Sequence, residues 1–214
     1  MRTINLDTWP RREHYQLFNT FEYPHFSLCA NVDLTKFLPA IKATGISFTG
    51  AIMYLIARTA NTIPEFRHRV REGAAIEHEV VHPSVTILSE DDLFAFCTVV
   101  YDHDFETFVT KAEKEISQVK GSPSLNEKIP DDNVLFMSSI PWVSFTSFMH
   151  PLKLTPADSV PRFAWGKYFK EGKAIKMPLS VQGHHAVMDG VHAGRFYTDM
   201  QDMLDYPESF IGGD

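Results

Sequence analysis

The chain has little cysteine: two residues, Cys29 and Cys97, in a length of 214. They lack metal-type spacing, so they fit a reducing compartment better than a disulfide framework or a zinc site. A basic excess is also missing, since 27 Asp and Glu outnumber 20 Lys and Arg, giving a net charge of −7. Nucleic acid needs a basic stripe, so no nucleic-acid partner is expected, although a local basic spot beside a phosphorylated cofactor stays open. No apolar run reaches the ~18 residues of a membrane span. The opening Met1-Arg2-Thr3-Ile4-Asn5-Leu6-Asp7 has no secretory hydrophobic stretch. The expected compartment is the cytoplasm, with no membrane partner. Several catalytic templates are absent as well: the Gly-x-Ser-x-Gly elbow, the phosphate-binding Gly-x-x-x-x-Gly-Lys loop, the Gly-x-Gly-x-x-Gly fingerprint and His-Glu-x-x-His. Serine hydrolase, nucleotide-binding and zinc-protease readings therefore lose their usual support.

What is present is an ordinary globular composition, 44% apolar and 13% aromatic, with 17 phenylalanines against 7 tyrosines. The length suits one domain over residues 1–214. The phenylalanine excess fits core packing and also a pocket for a flat apolar ligand. Residues 8–21 read as a helix with Thr8 as N-cap. Phe26 to Val32 alternates like a strand, and Asp33 to Ile41 restarts a helix. Ser47 to Ile63 is apolar on nearly every face, as a buried helix is. Arg67 to Glu77 reads as charged turn material. Strand-like runs follow at Val85–Leu88 and Leu93–Val99, then a helical period over 104–119 and a loop from Gly121 to Asn133. Further strands are expected at Val134–Met137, Trp142–Phe148, Arg162–Phe169 and Ala174–Gly183. A last helix runs from Val191 to Leu204, with Phe196, Met200 and Met203 on one face. Without a regular βαβ repeat, an α+β sandwich is expected rather than a doubly wound parallel sheet.

One segment concentrates chemistry. A strand ending Leu-Ser-Val-Gln-Gly delivers the chain to His184-His185, followed by Asp189-Gly190 and His192. Histidine is the side chain most easily poised to take a proton near neutral pH, and glycine behind the acid permits a turn other residues resist. His184 and His192 can equally be satisfied structural histidines. A metal reading of His184, His185, Asp189 and His192 is weakened because adjacent strand residues project to opposite sides, so no metal is expected. Spacing alone does not choose between His184 and His185.

The run His-His-Ala-Val-Met-Asp-Gly-Val-His, with Pro-Trp-Val-Ser-Phe-Thr-Ser-Phe at 141–148 and Trp-Pro-Arg-Arg-Glu-His at 9–14, resembles the type A chloramphenicol acetyltransferases. The HHxxxDG pattern alone marks a wider superfamily of CoA-dependent acyltransferases. Pro64 to Val70, Val81 to Leu88 and Gly166 to Gln182 add matches in family order, so the resemblance spans nearly the whole chain. It implies a two-layer sandwich, a mixed sheet with helices on one face, and acetyl-CoA as co-substrate in direct acetyl transfer to a hydroxyl of chloramphenicol, without an acyl-enzyme. His185 is implied as the general base and Ser138 as the oxyanion donor, with Ser139 as a rival. Asp189 and Arg11 are implied to form a pair that supports the active-site loop. Lys167 and Tyr168 are implied as CoA contacts, and Phe18, Phe26 and Phe136 as walls of the acceptor pocket. The resemblance also implies a homotrimer with active sites between subunits.

Three features depart from the family pattern. Ala164 stands where a threonine often holds a water, Met188 replaces the usual cysteine, and Phe18 replaces a common tyrosine while Glu22 adds a charge nearby. The transfer chemistry is expected to survive these changes, and the acceptor is what they put in question. Two further readings stay open: the same chemistry on another small alcohol or amine, and a catalytically silent binding protein.

Overall fold

The computed structural model describes residues 1–89, 92–121 and 132–212. Its main sheet has β2 (His25–Asp33), β10 (Ala174–His184), β8 (Arg162–Gly166), β7 (Val134–Ile140), β5 (His82–Leu88) and β6 (Phe94–Thr98) side by side in that order, with β9 (Phe169–Glu171) pairing β10. The β5–β7 and β7–β8 pairs are parallel and the others antiparallel. One face of this mixed sheet is packed by α3 (Phe48–Thr62), α4 (Phe105–Gly121) and α5 (Gly190–Asp205). This is the α+β sandwich the pattern implied, in the two-layer form the resemblance implied.

Alternation along the strands explains the two faces. Val85, Ala95, Cys97, Leu135, Met137, Phe163, Trp165, Leu179 and Val181 turn toward the helices and join the core. The face opposite carries Thr86, Phe96, Phe136, Ser138, Arg162, Ser180 and Gln182, and segment 141–161 lies over it. The Ser27 and Ser180 hydroxyls donate to the Phe148 carbonyl at 2.9 and 3.2 Å, and the His150 N–H donates to Gln182 Oε1 at 2.9 Å. Because side chains hold that segment, Trp142–Phe148 is a loop and not the expected strand. Gly166 permits its close approach: a Cβ there would stand 2.9 Å from the Val143 carbonyl oxygen.

Helix α3 is buried on almost every face, as its sequence requires, and Ser47 caps it through the Gly50 N–H. In α5 the inward residues are Ala193, Phe196, Met200 and Leu204, while Met203 is only partly buried. Helix α2 (Phe37–Thr44) ends on Gly45, whose positive φ of 75° suits glycine. The first helix, α1 (Arg12–Phe18), is shorter than the residue pattern predicts, because Thr8 donates to the Asn5 carbonyl in a preceding turn and caps nothing.

Residues 67–77 are not turn material. They form the hairpin of β3 (His68–Arg71) and β4 (Ala74–Glu77), completed by β1 (Arg2–Thr3). Their charges are paired inside: Glu77 accepts from Arg2 and meets Arg67 at 2.8 Å, and the buried Arg69 donates to the carbonyls of Phe66, His68, Asp132 and Val134. Internally neutralised charges read as a surface in sequence, which hides the strands. Most of the loop expected between Gly121 and Asn133, residues 122–131, lies outside the described residues. No described helix is long and apolar enough to cross a membrane.

Candidate active site

Strand β10 ends at His184, and the alternation of the strand splits the histidine pair. His184 turns inward, 1% exposed, edge-on to His25 at 4.9 Å. Its Nδ1 accepts from the Ala186 N–H at 3.2 Å. Burial first, then the neighbouring His25, pulls its pKa down to about 4, so it is neutral near pH 7. His185 turns outward with 34% of its side chain exposed. Phe18 stacks flat on its ring at 4.1 Å, Phe26 approaches at 5.0 Å, and the His185 N–H donates to the Pro24 carbonyl at 2.7 Å. Two aromatic walls and an anchored backbone leave this imidazole one orientation and an open edge.

The loop behind it is held by Arg11. Its guanidinium donates to the carbonyls of His185, Ala186 and Met188 at 2.7, 3.0 and 3.1 Å, and engages both oxygens of Asp189. One side chain thus satisfies three backbone acceptors and a carboxylate at once. The Arg11 hydrogen bonds, partly opposed by burial, hold the Asp189 carboxyl below the usual carboxylate range. Asp189 Oδ1 lies 2.9 Å from His185 Nδ1 without forming a hydrogen bond to it. His192 closes the turn by accepting from the Asp189 N–H at 2.9 Å, and its other nitrogen faces Glu65 at 3.3 Å. Met188 is fully buried against Gly183, where a Cβ would stand 2.6 Å from its sulfur.

Ser138 sits elsewhere. It lines a cavity of about 690 Å³ over β7, together with Thr86, Phe94, Phe96, Phe136, Ile140, His150 and Arg162. The Thr86 hydroxyl donates to Ser138 Oγ at 3.4 Å, leaving the serine proton free to point into the cavity. Ser139 pairs with Trp165 on the helix-facing side and is not among the residues that line it. Ser138 is in register with Ala164, and Ala164 with Ser180. His185 lies five residues beyond Ser180. Two strand spacings across and five residues along separate the serine and histidine backbones by roughly 15–20 Å. One chain therefore does not bring them together. Phe18 and Phe26 stand with His185, and Phe136 stands with Ser138, so the three residues assigned to one pocket occupy two places.

Lys167 and Tyr168 are exposed just past the end of β8, three and four residues beyond Ala164 and so on the Ser138 side. Ser144 Oγ donates to the Lys167 carbonyl at 2.5 Å, and the Lys167 N–H to Val143 at 3.0 Å. The same tied loop presents Trp142, 66% exposed. In the sequence Trp142 stands out only as part of the Pro-Trp-Val-Ser-Phe-Thr-Ser-Phe match. His150, Asp158 and Arg162 were missed for a different reason, since they belong to no motif and meet only through the fold. No group of three or more His, Cys, Asp or Glu suited to a metal ion occurs among the described residues.

Comparison with known proteins agrees with this architecture. The family model for chloramphenicol acetyltransferase matches residues 1–201. The chain belongs to the chloramphenicol acetyltransferase family. As a member it is an acyltransferase. It is 35% identical over 207 residues to chloramphenicol acetyltransferase 2 of Haemophilus influenzae, covering 94% of this chain and 96% of the relative. A chloramphenicol acetyltransferase of Escherichia coli is 32% identical over 206 residues, with 95% and 93% covered. Among solved structures, a chloramphenicol acetyltransferase superposes with a TM-score of 0.89 at 26% identity, covering 95% of this chain and 99% of the other. The dihydrolipoamide acetyltransferase of Azotobacter vinelandii, at 20% identity and a TM-score of 0.62 over 93% and 88% of the chains, shares the fold.

Proposed function

We propose that this chain transfers the acetyl group of acetyl-CoA to a hydroxyl of chloramphenicol, directly and without an acyl-enzyme, in an active site shared between copies of a homotrimer. The observation that carries this reading is the partly exposed, aromatic-clamped imidazole of His185 on a loop braced by Arg11. In the reaction His185 takes the proton of the acceptor hydroxyl as its oxygen attacks the thioester carbonyl. The new C–O bond makes a tetrahedral oxyanion, which the Ser138 hydroxyl stabilises. The C–S bond then breaks, and the CoA thiolate recovers the proton from the imidazolium. General-base assistance contributes about 10²–10⁴-fold, and loss of one oxyanion donor costs roughly 2.7–4 kcal/mol.

The separation of His185 from Ser138 supports a site made by two copies. So does β2, which ends the sheet with an exposed edge beside Phe26 and His185, because proteins usually cover such edges. A second copy seated there would bring its Ser138 cavity to His185. Phe18 and Phe26 would then meet Phe136 of the other copy, making one acceptor pocket. Lys167 and Tyr168, with Trp142, offer charge and stacking to the CoA nucleotide. We read the 214 residues as one domain and the cytoplasm as its compartment. The test is thiol release from acetyl-CoA with and without chloramphenicol. Release that depends on chloramphenicol is expected, and release with neither chloramphenicol nor any other alcohol or amine would reject acyl transfer.

A further inference from the structure

The cavity over β7 is aromatic at one end and polar at the other. Phe94, Phe96 and Phe136 supply the first, and His150, Asp158 and Arg162 the second. Arg162 is already committed: it donates to the Val160 carbonyl at 2.8 Å and to Asp158 at 2.5 Å, with its guanidinium 5.2 Å above the Phe136 ring. The Asp158 carbonyl is held in turn by His25 Nε2 at 2.6 Å. His150 is different. Its backbone is fixed by Gln182 and its ring stands edge-on to Phe148 at 4.8 Å. Yet neither buried ring nitrogen makes a well-formed hydrogen bond among the described residues, although the Gln182 side chain that takes its backbone N–H also faces the ring. Burial, reinforced by the charge of Arg162, brings its pKa down to about 4, so it offers one N–H and one lone pair at neutral pH. Buried polar groups are rarely left unmet, because an unmade hydrogen bond is costly.

We infer that His150 is a specificity-determining residue, and that the cavity takes an acceptor with an aromatic body and a neutral hydrogen-bonding group, a carboxamide or hydroxyl, remote from the acetylated hydroxyl. This rests on the acyl-transfer reading of the same site. Charge argues against an anionic group, since Arg162 is balanced by Asp158 and the carboxylate would repel a second one. Size argues for a para-substituted ring. Arg162 is in register with Phe136, two residues before Ser138, so the polar end lies about 7 Å along the strand from the oxyanion donor. A nitro group reaches the same place but can only accept hydrogen bonds, using half of what His150 offers.

The experiment compares kcat/KM for three alcohols with acetyl-CoA: 4-(2-hydroxyethyl)benzamide, 2-(4-ethylphenyl)ethanol and 2-(4-nitrophenyl)ethanol. The benzamide is expected to exceed the ethyl compound about tenfold or more, with the nitro compound between, since a site built to hydrogen-bond a group discriminates against analogues without it. His150→Leu is expected to reverse that order, and His150→Gln to keep the benzamide first. If the leucine variant fails to fold by circular dichroism, the glutamine variant and the wild-type order still decide. Equal rates, or a preference for the ethyl compound by the wild type, would overturn the inference and leave acyl transfer standing. No acetylation of these alcohols or of chloramphenicol would overturn both.

Discussion

The His185 corner and the Ser138 cavity are built by opposite means. At the corner, order comes from polar bonds: Arg11 ties three carbonyls and Asp189 together, and the aromatic rings of Phe18 and Phe26 only set the plane of the imidazole. At the cavity, order comes from strand register and aromatic packing, and the polar groups on its wall are partly unmet. On the proposed reading, the first arrangement fixes a proton acceptor at one place. The second leaves room for a molecule to supply what is missing. A base needs a single geometry, whereas a binding pocket needs unsatisfied surface, so the difference suits the two tasks proposed for them.

The largest effect tests whether the halves work together across copies. His185→Ala is expected to lower kcat by about 10²–10⁴-fold or more, and Ser138→Ala by about 10²–10³-fold. Co-expressed, the two variants should recover activity, because a wild-type His185 from one can face a wild-type Ser138 from the other. In a cyclic trimer with random mixing, about a quarter of the interfaces are intact. Recovery well above the sum of the separate variants, measured by thiol release, is the expected outcome. No recovery in demonstrably mixed oligomers would place both groups in one chain or dismiss one of them.

Next in size is Ser138→Ala taken alone. Its loss should fall on kcat with little change in KM, since an oxyanion donor acts in the transition state and hardly touches the bound alcohol. A matching rise in KM would instead make Ser138 part of the acceptor wall, leaving the cavity purely a binding surface.

Asp189→Asn should hurt the corner in two ways. The Arg11 charge loses its partner while keeping its three carbonyls, at a cost of roughly 2–3 kcal/mol, below the ~3–5 of a fully buried pair because the carboxylate is partly exposed. A fall in Tm is expected together with a drop in kcat of about tenfold, as the loop carrying His185 loosens. Unchanged Tm with lost turnover would assign Asp189 to proton transfer, contrary to the proposed role.

How much of this was readable in sequence divides along the same line. Helices α4 and α5 carry apolar periods, α3 is apolar on nearly every face, and β2 alternates clearly, so they were legible. The corner was legible too, because His184, His185, Asp189 and Gly190 lie within seven residues. The hairpin at 68–77 was not, since the carboxylate of Glu77 is paired and the guanidinium of Arg69 hydrogen-bonded to carbonyls only after folding. Nor was the loop at 142–148, where a strand-like composition is overruled by side chains bonding its carbonyls. The polar cavity wall was least visible of all. His150, Asp158 and Arg162 share no motif, and the distance from Ser138 to His185 is a property of register.

The smallest predicted effect concerns stability and compares two histidines, the buried His184 and the half-buried His150, one behind each half. His184 lies behind the corner, facing His25, Asp158 and His185, and His150 lies in the cavity wall, facing Arg162 and Gln182. Burial, the largest cause in both, brings each down to about 4 from an unfolded value of 6.5. Between these limits the unfolded chain binds protons that the folded chain refuses, so stability is full above about pH 6.5 and declines as pH falls toward 4. Tm measured across that window should therefore drop with acidity. His184→Gln and His150→Gln should each flatten the slope, by similar amounts, whatever they do to Tm at pH 7. If only His184→Gln flattened it, His150 would be protonated or solvated in the folded protein, and the neutral imidazole facing the acceptor would be lost with it.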